Sequence, residues 1–308
     1  MTGTVVRVAA QAKLNLHLRV LAREDSGFHS LETIFHRIDL ADELTITITG
    51  GERSIDVEGA DTGHAESNLA YRAADAYARH RDWPRGFKIE LKKRIPVGAG
   101  LGGGSADAAA VLRALNLVSP HPIGRHGLLM LASSLGTDVP FLASDAVMAL
   151  AWGRGERMLS MAPLPRYDII LMSPPFGIST VDAYRWLDED RARQSESNAM
   201  MDEGRTRPTS SPEPSLIDAL SLSTWASIAR FARNDFEAPV VARHPEMAGY
   251  IERLQNSRAI LAQMSGSGST IFGVLDSPPN YSKVPEEHRS HVTTTKTSID
   301  VVQPVRVG

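Results

Sequence analysis

Hydrophobic positions recur along this chain at the two spacings expected of strands and of helices. Leu44 to Thr49 runs apolar, polar, apolar, polar, as a strand does with one face in a core and one in solvent. Ile55 to Val57 is expected to pair with it. Residues 4–21 are rich in Val, Leu and Ala, with interruptions, and read as a strand or a strand pair. Asn68 to His80 carries Leu69, Ala73, Ala76 and Tyr77 at helical spacing, which predicts an amphipathic helix. Phe87 to Leu91 is a strand leading into a run of glycines. A helix is predicted over 105–118, with Ser105 as its N-cap and Pro120 and Pro122 past its end. Gly127 to Leu135, closed by Gly136, is a further helix, and Ala146 to Ala151 a strand.

Pro163 and Pro165 mark a boundary. Beyond it, Tyr167 to Met172 reads as a strand and Thr180 to Leu187 as a short helix. Residues 190–215 are polar and rich in Arg, Ser, Glu and Pro, which predicts a mobile insertion. Trp225 to Phe231 and His244 to Asn256 read as helices, and Ala259 to Met264 and Ser269 to Leu275 as strands around a glycine turn. The expected organisation is an N-terminal domain over 1–163, a C-terminal domain over 164–276 and a disordered or peripheral tail over 277–308. No repeat of fixed period is present.

Composition excludes several classes of function. Hydrophobic residues make up 42% of the 308 residues and charged ones 22%, as in soluble globular proteins. A net charge of -3 gives no general attraction to nucleic acid or to an anionic membrane, so neither partner is expected. The absence of cysteine rules out disulfides, thiolate metal sites and cysteine nucleophiles. The first residues lack a signal-peptide pattern, and no apolar run reaches the ~18 residues of a membrane span. A cytoplasmic protein, monomeric or homodimeric, is expected.

The chemistry concentrates in Pro96-Val97-Gly98-Ala99-Gly100-Leu101-Gly102-Gly103-Gly104-Ser105-Ala106. Glycine tolerates positive φ and lets a ligand approach the backbone closely. A glycine loop that opens onto a helix N-terminus presents unpaired N–H groups and the positive end of a dipole, which suits phosphate. Gly98 to Gly103 formally satisfies the dinucleotide fingerprint, but no Asp or Glu lies between Asp107 and Asp138 to hold a ribose. The P-loop needs Gly-Lys-Ser/Thr, and here Gly104 meets Ser105 without a lysine.

The segment resembles the phosphate loop of the galactokinase, homoserine kinase, mevalonate kinase and phosphomevalonate kinase (GHMP) superfamily. Four further segments resemble, within it, the 4-diphosphocytidyl-2-C-methyl-D-erythritol kinase family. They are Ala12 to Leu18 with Gly27 to Thr33, Gly136 to Phe141, Asn234 to Glu237, and Gln263 to Ser269. The resemblance covers roughly residues 5–275, in matching order. It implies an α/β (α+β) two-domain GHMP-kinase-like fold, with a ribosomal-protein-S5-domain-2-like N-terminal half and a ferredoxin-like C-terminal half.

The resemblance also implies roles. Asp138 accepts the proton of a substrate hydroxyl, and Lys13 supplies a cation beside it. ATP, with Mg²⁺, rests on residues 96–106, with Lys93 and Asn68 nearby. Ser105 and Asp107 are candidate metal ligands, direct or through water; the metal site itself is left unassigned. A substrate carrying a cytidine diphosphate group is expected to meet Asn15, Phe28, His29, Thr180 and Tyr184. His29 would meet the cytosine edge, and Phe28 and Tyr184 would stack on its ring. Read from the residues alone, Asn68 is equally an N-cap, Lys93 equally a solvated cation, and Phe28 and Tyr184 equally core aromatics. Phe28 departs from the tyrosine usual in the family, and Ala106-Asp107 from its Ser-Asn. Other functions left open are a homoserine or sugar kinase and a non-catalytic nucleotide-binding module.

Overall fold

The computed structural model describes residues 3–23, 27, 29–202, 218–277 and 291–307. Its larger sheet is built on two long antiparallel strands, β1 (Val5–Arg23) and β2 (His29–Thr49). The far half of β2 pairs with β4 (Gly86–Lys92), which pairs in turn with β3 (Arg53–Glu58). The near half of β2 pairs with β5 (Met148–Gly153), and β6 (Arg157–Met161) closes that side. Helices α1 (Leu69–Arg81), α2 (Gly103–Val118), α3 (Arg125–Ser133) and α4 (Val139–Ala143) belong to this half. The Ala-rich α2 lies close against β1 and β2, and its Ala108 to Ala110 and Val111 are buried in the main core.

Several expectations change here. Residues 4–21 form one strand, not a pair. Ile55 to Val57 pairs with β4, not with Leu44 to Thr49, because β4 is inserted between them. Strands β3 and β4 are parallel, and parallel neighbours need a crossover, which α1 supplies. The first half of β2 is a strand that its polar residues concealed. His36 and Arg37 are buried in it, and Arg37 donates to the carbonyls of Ala146, Phe141, Leu142 and Ser144 at the end of α4.

The smaller sheet, in the order β10–β7–β9–β8, comprises β7 (Asp168–Met172), β8 (Leu261–Met264), β9 (Ile271–Leu275) and β10 (Val292–Lys296). Helices α5 (Thr180–Asp202), α6 (Trp225–Ala229), α7 (Glu237–Arg243) and α8 (Glu246–Asn256) accompany it. Leu18 and Val20 at the end of β1 pack into the core of this half, so one strand joins the two. The expected mobile insertion is helical through Asp202, and 203–217 lie outside the described residues.

The expected tail is also corrected. Residues 291–307 bind both sheets: β10 pairs with β7, and β11 (Val305–Val307) pairs with β1. Between them Ser298 donates to Asp39 at 2.6 Å and accepts from Gln11 at 2.9 Å. Short Thr-rich and Val-Arg-Val segments carry little periodicity alone and gain strand form from the edges they extend.

His36 is fully buried, and burial pulls its imidazole down to about 4. Its Nδ1–H donates to Arg37 O at 2.7 Å, while Nε2 has no partner among the described residues. The folded state therefore holds His36 neutral, and the unfolded state binds a proton below pH ~6.5. Its contribution is complete above that pH and is lost as pH falls toward 4, on the order of 3 kcal/mol in all. His36→Asn keeps a donor for Arg37 O without a titrating ring. It is expected to flatten the fall in melting temperature between pH 7 and pH 4; equal slopes in both proteins would contradict this.

Candidate active site

Gly98, Gly100 and Gly102 all take positive φ (68°, 76° and 70°). Gly102 is the N-cap of α2, so Ser105 lies inside the first turn, not at the cap as its residue type suggested. The three glycines turn the chain back on itself and leave the first N–H groups of a sixteen-residue helix facing a cavity of about 540 Å³. Residues 96–105 line this cavity; Ala106 does not, being buried in the core.

A second glycine turn holds the loop from the other half of the molecule. Ser265 Oγ donates to Gly100 O at 3.0 Å, and Thr270 N–H donates to Ala99 O at 3.2 Å. Asn234 fixes that turn, its amide donating to Met264 O and Gly266 O, both at 2.8 Å. The Glu237 carboxylate accepts from Met264 N–H. The Asn234–Glu237 and Gln263–Ser269 motifs thus buttress the phosphate loop.

Lys13 and Asp138, 125 positions apart in the sequence, meet at the mouth of α2. Lys13 is 3% exposed, and its ammonium lies 3.2 Å from Asp138 Oδ2, 2.6 Å from Asn15 Oδ1 and 3.0 Å from Gly100 O. Asp138 sits in the turn before α4, its side chain 26% exposed to the cavity side of the pair. A Cβ on Gly102 would fall 2.9 Å from the Lys13 stem and 3.5 Å from Asp138 Oδ2, so the pair abuts the phosphate loop.

The ladder of β1 explains how a charged residue comes to be buried there. Its register with β2 shifts between Gln11 and Lys13 and again between Asn15 and His17. Such bulges re-aim side chains and leave backbone groups free of the ladder. Lys13 N–H donates to Leu101 O in the loop, and Gln263 takes the Asn15 and Leu16 carbonyls, each at 3.0 Å.

Lys93 proves to be neither solvated nor free. It ion-pairs with Asp42 and, at 2.7 Å, with Asp107, beneath the start of the loop. Asp42 also accepts from Ile95 N–H at 2.8 Å and from Arg94 N–H, so the cluster anchors the loop's leading edge. Burial pushes the Asp107 carboxyl up to about 7, against the pull of Lys93 and with the added push of Asp42. Burial alone would lower the Lys93 ammonium, but Asp107 and Asp42 outweigh it and leave it raised. Lys93 thus offsets the Asp107 charge beneath the glycine loop.

Asn68 is the N-cap of α1, accepting from Ala70 N–H at 2.9 Å, and it also lines the cavity. At the opposite end Tyr184, Phe236, Thr180 and Leu31 form the wall. Burial, then the Asp138 and Asp188 carboxylates, push the Tyr184 phenol up to about 12. Thr180 shares a hydrogen bond with Ser267 at 3.1 Å. His29 is off this wall. Tyr184 and Asp188, one turn apart on α5, take its ring by stacking (4.4 Å, 18°) and its Nε2 by carboxylate contacts of 3.0 and 3.1 Å. Phe28 lies outside the described residues.

A buried cation–carboxylate pair thus stands beside a glycine loop at a helix N-terminus, and comparison with known proteins identifies the family that the chain belongs to. The GHMP kinases N terminal domain family matches residues 68–150, and the GHMP kinases C terminal family residues 216–292. A 4-diphosphocytidyl-2-C-methyl-D-erythritol kinase of Pelotomaculum thermopropionicum is 38% identical over 88% of this chain and 89% of its own length. The chain belongs to the 4-diphosphocytidyl-2-C-methyl-D-erythritol kinase family. The family's member in Moorella thermoacetica is 36% identical over 88% of this chain and 90% of its own. A crystal structure of a 4-(cytidine 5'-diphospho)-2C-methyl-D-erythritol kinase superposes with a TM-score of 0.71 at 32% identity, over 94% of this chain and 98% of that one. The GHMP fold expected from the motifs is therefore shown. No helix among the described residues is long and apolar enough to cross a membrane.

Reading the sequence missed Thr33, Asp42 and Phe236 at or beneath this site. Thr33 and Phe236 stand inside the Gly27–Thr33 and Asn234–Glu237 segments but drew no role from them, and Asp42 stands in no motif and reaches Lys93 through the pairing of distant segments.

Proposed function

We propose that this protein transfers the γ-phosphoryl group of ATP to the 2-hydroxyl of 4-diphosphocytidyl-2-C-methyl-D-erythritol, a step in isoprenoid precursor synthesis by the non-mevalonate route. The observation that carries the reading is the Lys13–Asp138 pair at 3.2 Å, set against the glycine loop in one cavity. Asp138 takes the hydroxyl proton as the substrate oxygen bonds to the γ-phosphorus. The bond to the β–γ bridging oxygen breaks, and ADP carries that electron pair away. Asp138 then gives its proton to solvent. Lys13 places positive charge beside the developing alkoxide, and the loop and α2 amides take charge from the phosphates.

ATP is proposed to lie along residues 96–105, with its nucleoside toward Asn68. Thr180 and Tyr184, on the cavity wall, face the acceptor, Asn15 holds Lys13 toward it, and His29, held by Asp188, supports Tyr184 by stacking. Among the described residues no group of three His, Asp or Glu side chains gathers to chelate a metal. That donor set fits Mg²⁺ carried chiefly by phosphate oxygens and water, and Ser105 and Asp107, which line the cavity, are the residues of the chain that would hold it. When bound, Mg²⁺ supplies charge neutralisation on the triphosphate.

The first expected result is ADP release by the purified protein with ATP and this acceptor, measured by a coupled assay. Omitting the acceptor is expected to leave only a trace. Equal turnover on homoserine, or none on the cytidine-bearing alcohol, would sink the assignment.

A further inference from the structure

Below the Lys13–Asp138 pair, side chains from β1 and β2 form a hydrogen-bond chain with a single consistent direction. The Thr33 hydroxyl lies 2.7 Å from His17 O. A carbonyl can only accept, so the one hydroxyl proton is spent there. Thr33 Oγ1 is then an acceptor toward the Asn15 amide 2.8 Å away, which identifies the facing atom as Nδ2. The amide oxygen must therefore face Lys13, at 2.6 Å. The three ammonium protons match three acceptors: Asn15 Oδ1, Gly100 O and Asp138 Oδ2. Thr33 is 0% exposed and Asn15 and Lys13 3% each, so the chain lies in the floor of the cavity with almost no surface open to solvent.

We infer that Thr33 is a positioning residue for phosphoryl transfer: by fixing the Asn15 amide with its oxygen toward Lys13, it aims the Lys13 ammonium at Asp138. The inference rests on the reading of Lys13 and Asp138 as the catalytic pair. Without the Thr33 hydroxyl, the Asn15 NH₂ loses its acceptor and nothing fixes which way the amide points. The flipped amide would set donors against the ammonium, which then loses the shortest of its three contacts. The bulge between Asn15 and His17 makes this possible, because it presents the His17 carbonyl to Thr33.

The test compares Thr33→Val, which matches threonine in shape, with Thr33→Ser, which restores the hydroxyl. Thr33→Val is expected to lower kcat about ten- to thirtyfold with both KM values little changed, as an ammonium set about 1 Å off its mark would. Thr33→Ser is expected to recover most of that loss. In an Asn15→Ala background, Thr33→Val should cost almost nothing further, since its effect travels through Asn15. Three results would overturn the inference: wild-type kcat in Thr33→Val, a rise in KM alone, or an equal loss in both backgrounds. Lys13→Ala, run alongside, separates the two levels. If it keeps full turnover the catalytic-pair reading fails; if it is dead while Thr33→Val is unaffected, only the present inference fails.

Discussion

Asp138→Asn is expected to lower kcat by about a thousandfold or more while leaving ATP affinity within a few-fold of the wild type. The substitution keeps the shape of the side chain and removes both its charge and its capacity to take the acceptor proton. Removing a positioned general base alone costs about 10²–10⁴ in rate. Here the change also leaves the buried Lys13 ammonium with two neutral acceptors and no carboxylate. ATP affinity is expected to be spared because the amides of the loop and of α2, on which the triphosphate is proposed to rest, are unchanged by a substitution that keeps the side chain's shape. Coupled ADP release gives kcat, and ATP titration by calorimetry gives the affinity. Lys13→Ala is expected to lose turnover as severely and stability as well, since Asn15 Oδ1 and Gly100 O would each lose a buried donor. If Asp138→Asn retained more than about a tenth of wild-type kcat, Asp138 would not be the base.

The Lys13–Asp138 pair came from the family resemblance more than from the residues alone. A lysine inside an apolar strand is as readily a snorkelling edge residue as a functional cation, and an aspartate between Gly-Thr and Val-Pro reads by itself as a turn or N-cap residue. The glycine loop announced itself by density, since few structures need so many positive-φ positions in so short a span. What stayed hidden depends on contacts across the chain. His29 is expected to meet a cytosine edge, yet its Nε2 is held by Asp188, 159 positions away. Lys93 reads equally as an ATP contact or a solvated cation because Asp42, 51 positions away, is brought to it by β-pairing. The first half of β2 drew no reading because His36 and Arg37 break its apolar alternation, and the carbonyls at the end of α4 make Arg37 acceptable inside. The last strands escaped notice because their stability belongs to the edges of β7 and β1.

Gly100→Ala is expected to be the most damaging change in the phosphate loop, and the reason is steric. A Cβ there would stand 2.1 Å from Ser265 O and 3.0 Å from Gly268 O, and both obstacles are backbone. They cannot yield cheaply, because Asn234 holds the same turn through the carbonyls of Met264 and Gly266. The loop must move instead, and its carbonyl at Gly100 is a Lys13 acceptor, so the proposed phosphate cradle and the Lys13 ammonium are displaced together. ATP affinity is expected to fall about a hundredfold, with kcat falling alongside it. Gly98→Ala provides the control for backbone strain. Its φ of 68° is equally left-handed, but the nearest atom to its Cβ would be Gly177 Cα at 3.8 Å. That variant bears only the ~1–2 kcal/mol of a left-handed alanine and should bind ATP nearly as well as the wild type. Calorimetric titration with ATP on both variants, with melting curves to confirm folding, decides the matter. Equal affinities in the two would mean that the contact between the two glycine turns does not hold the nucleotide loop in place.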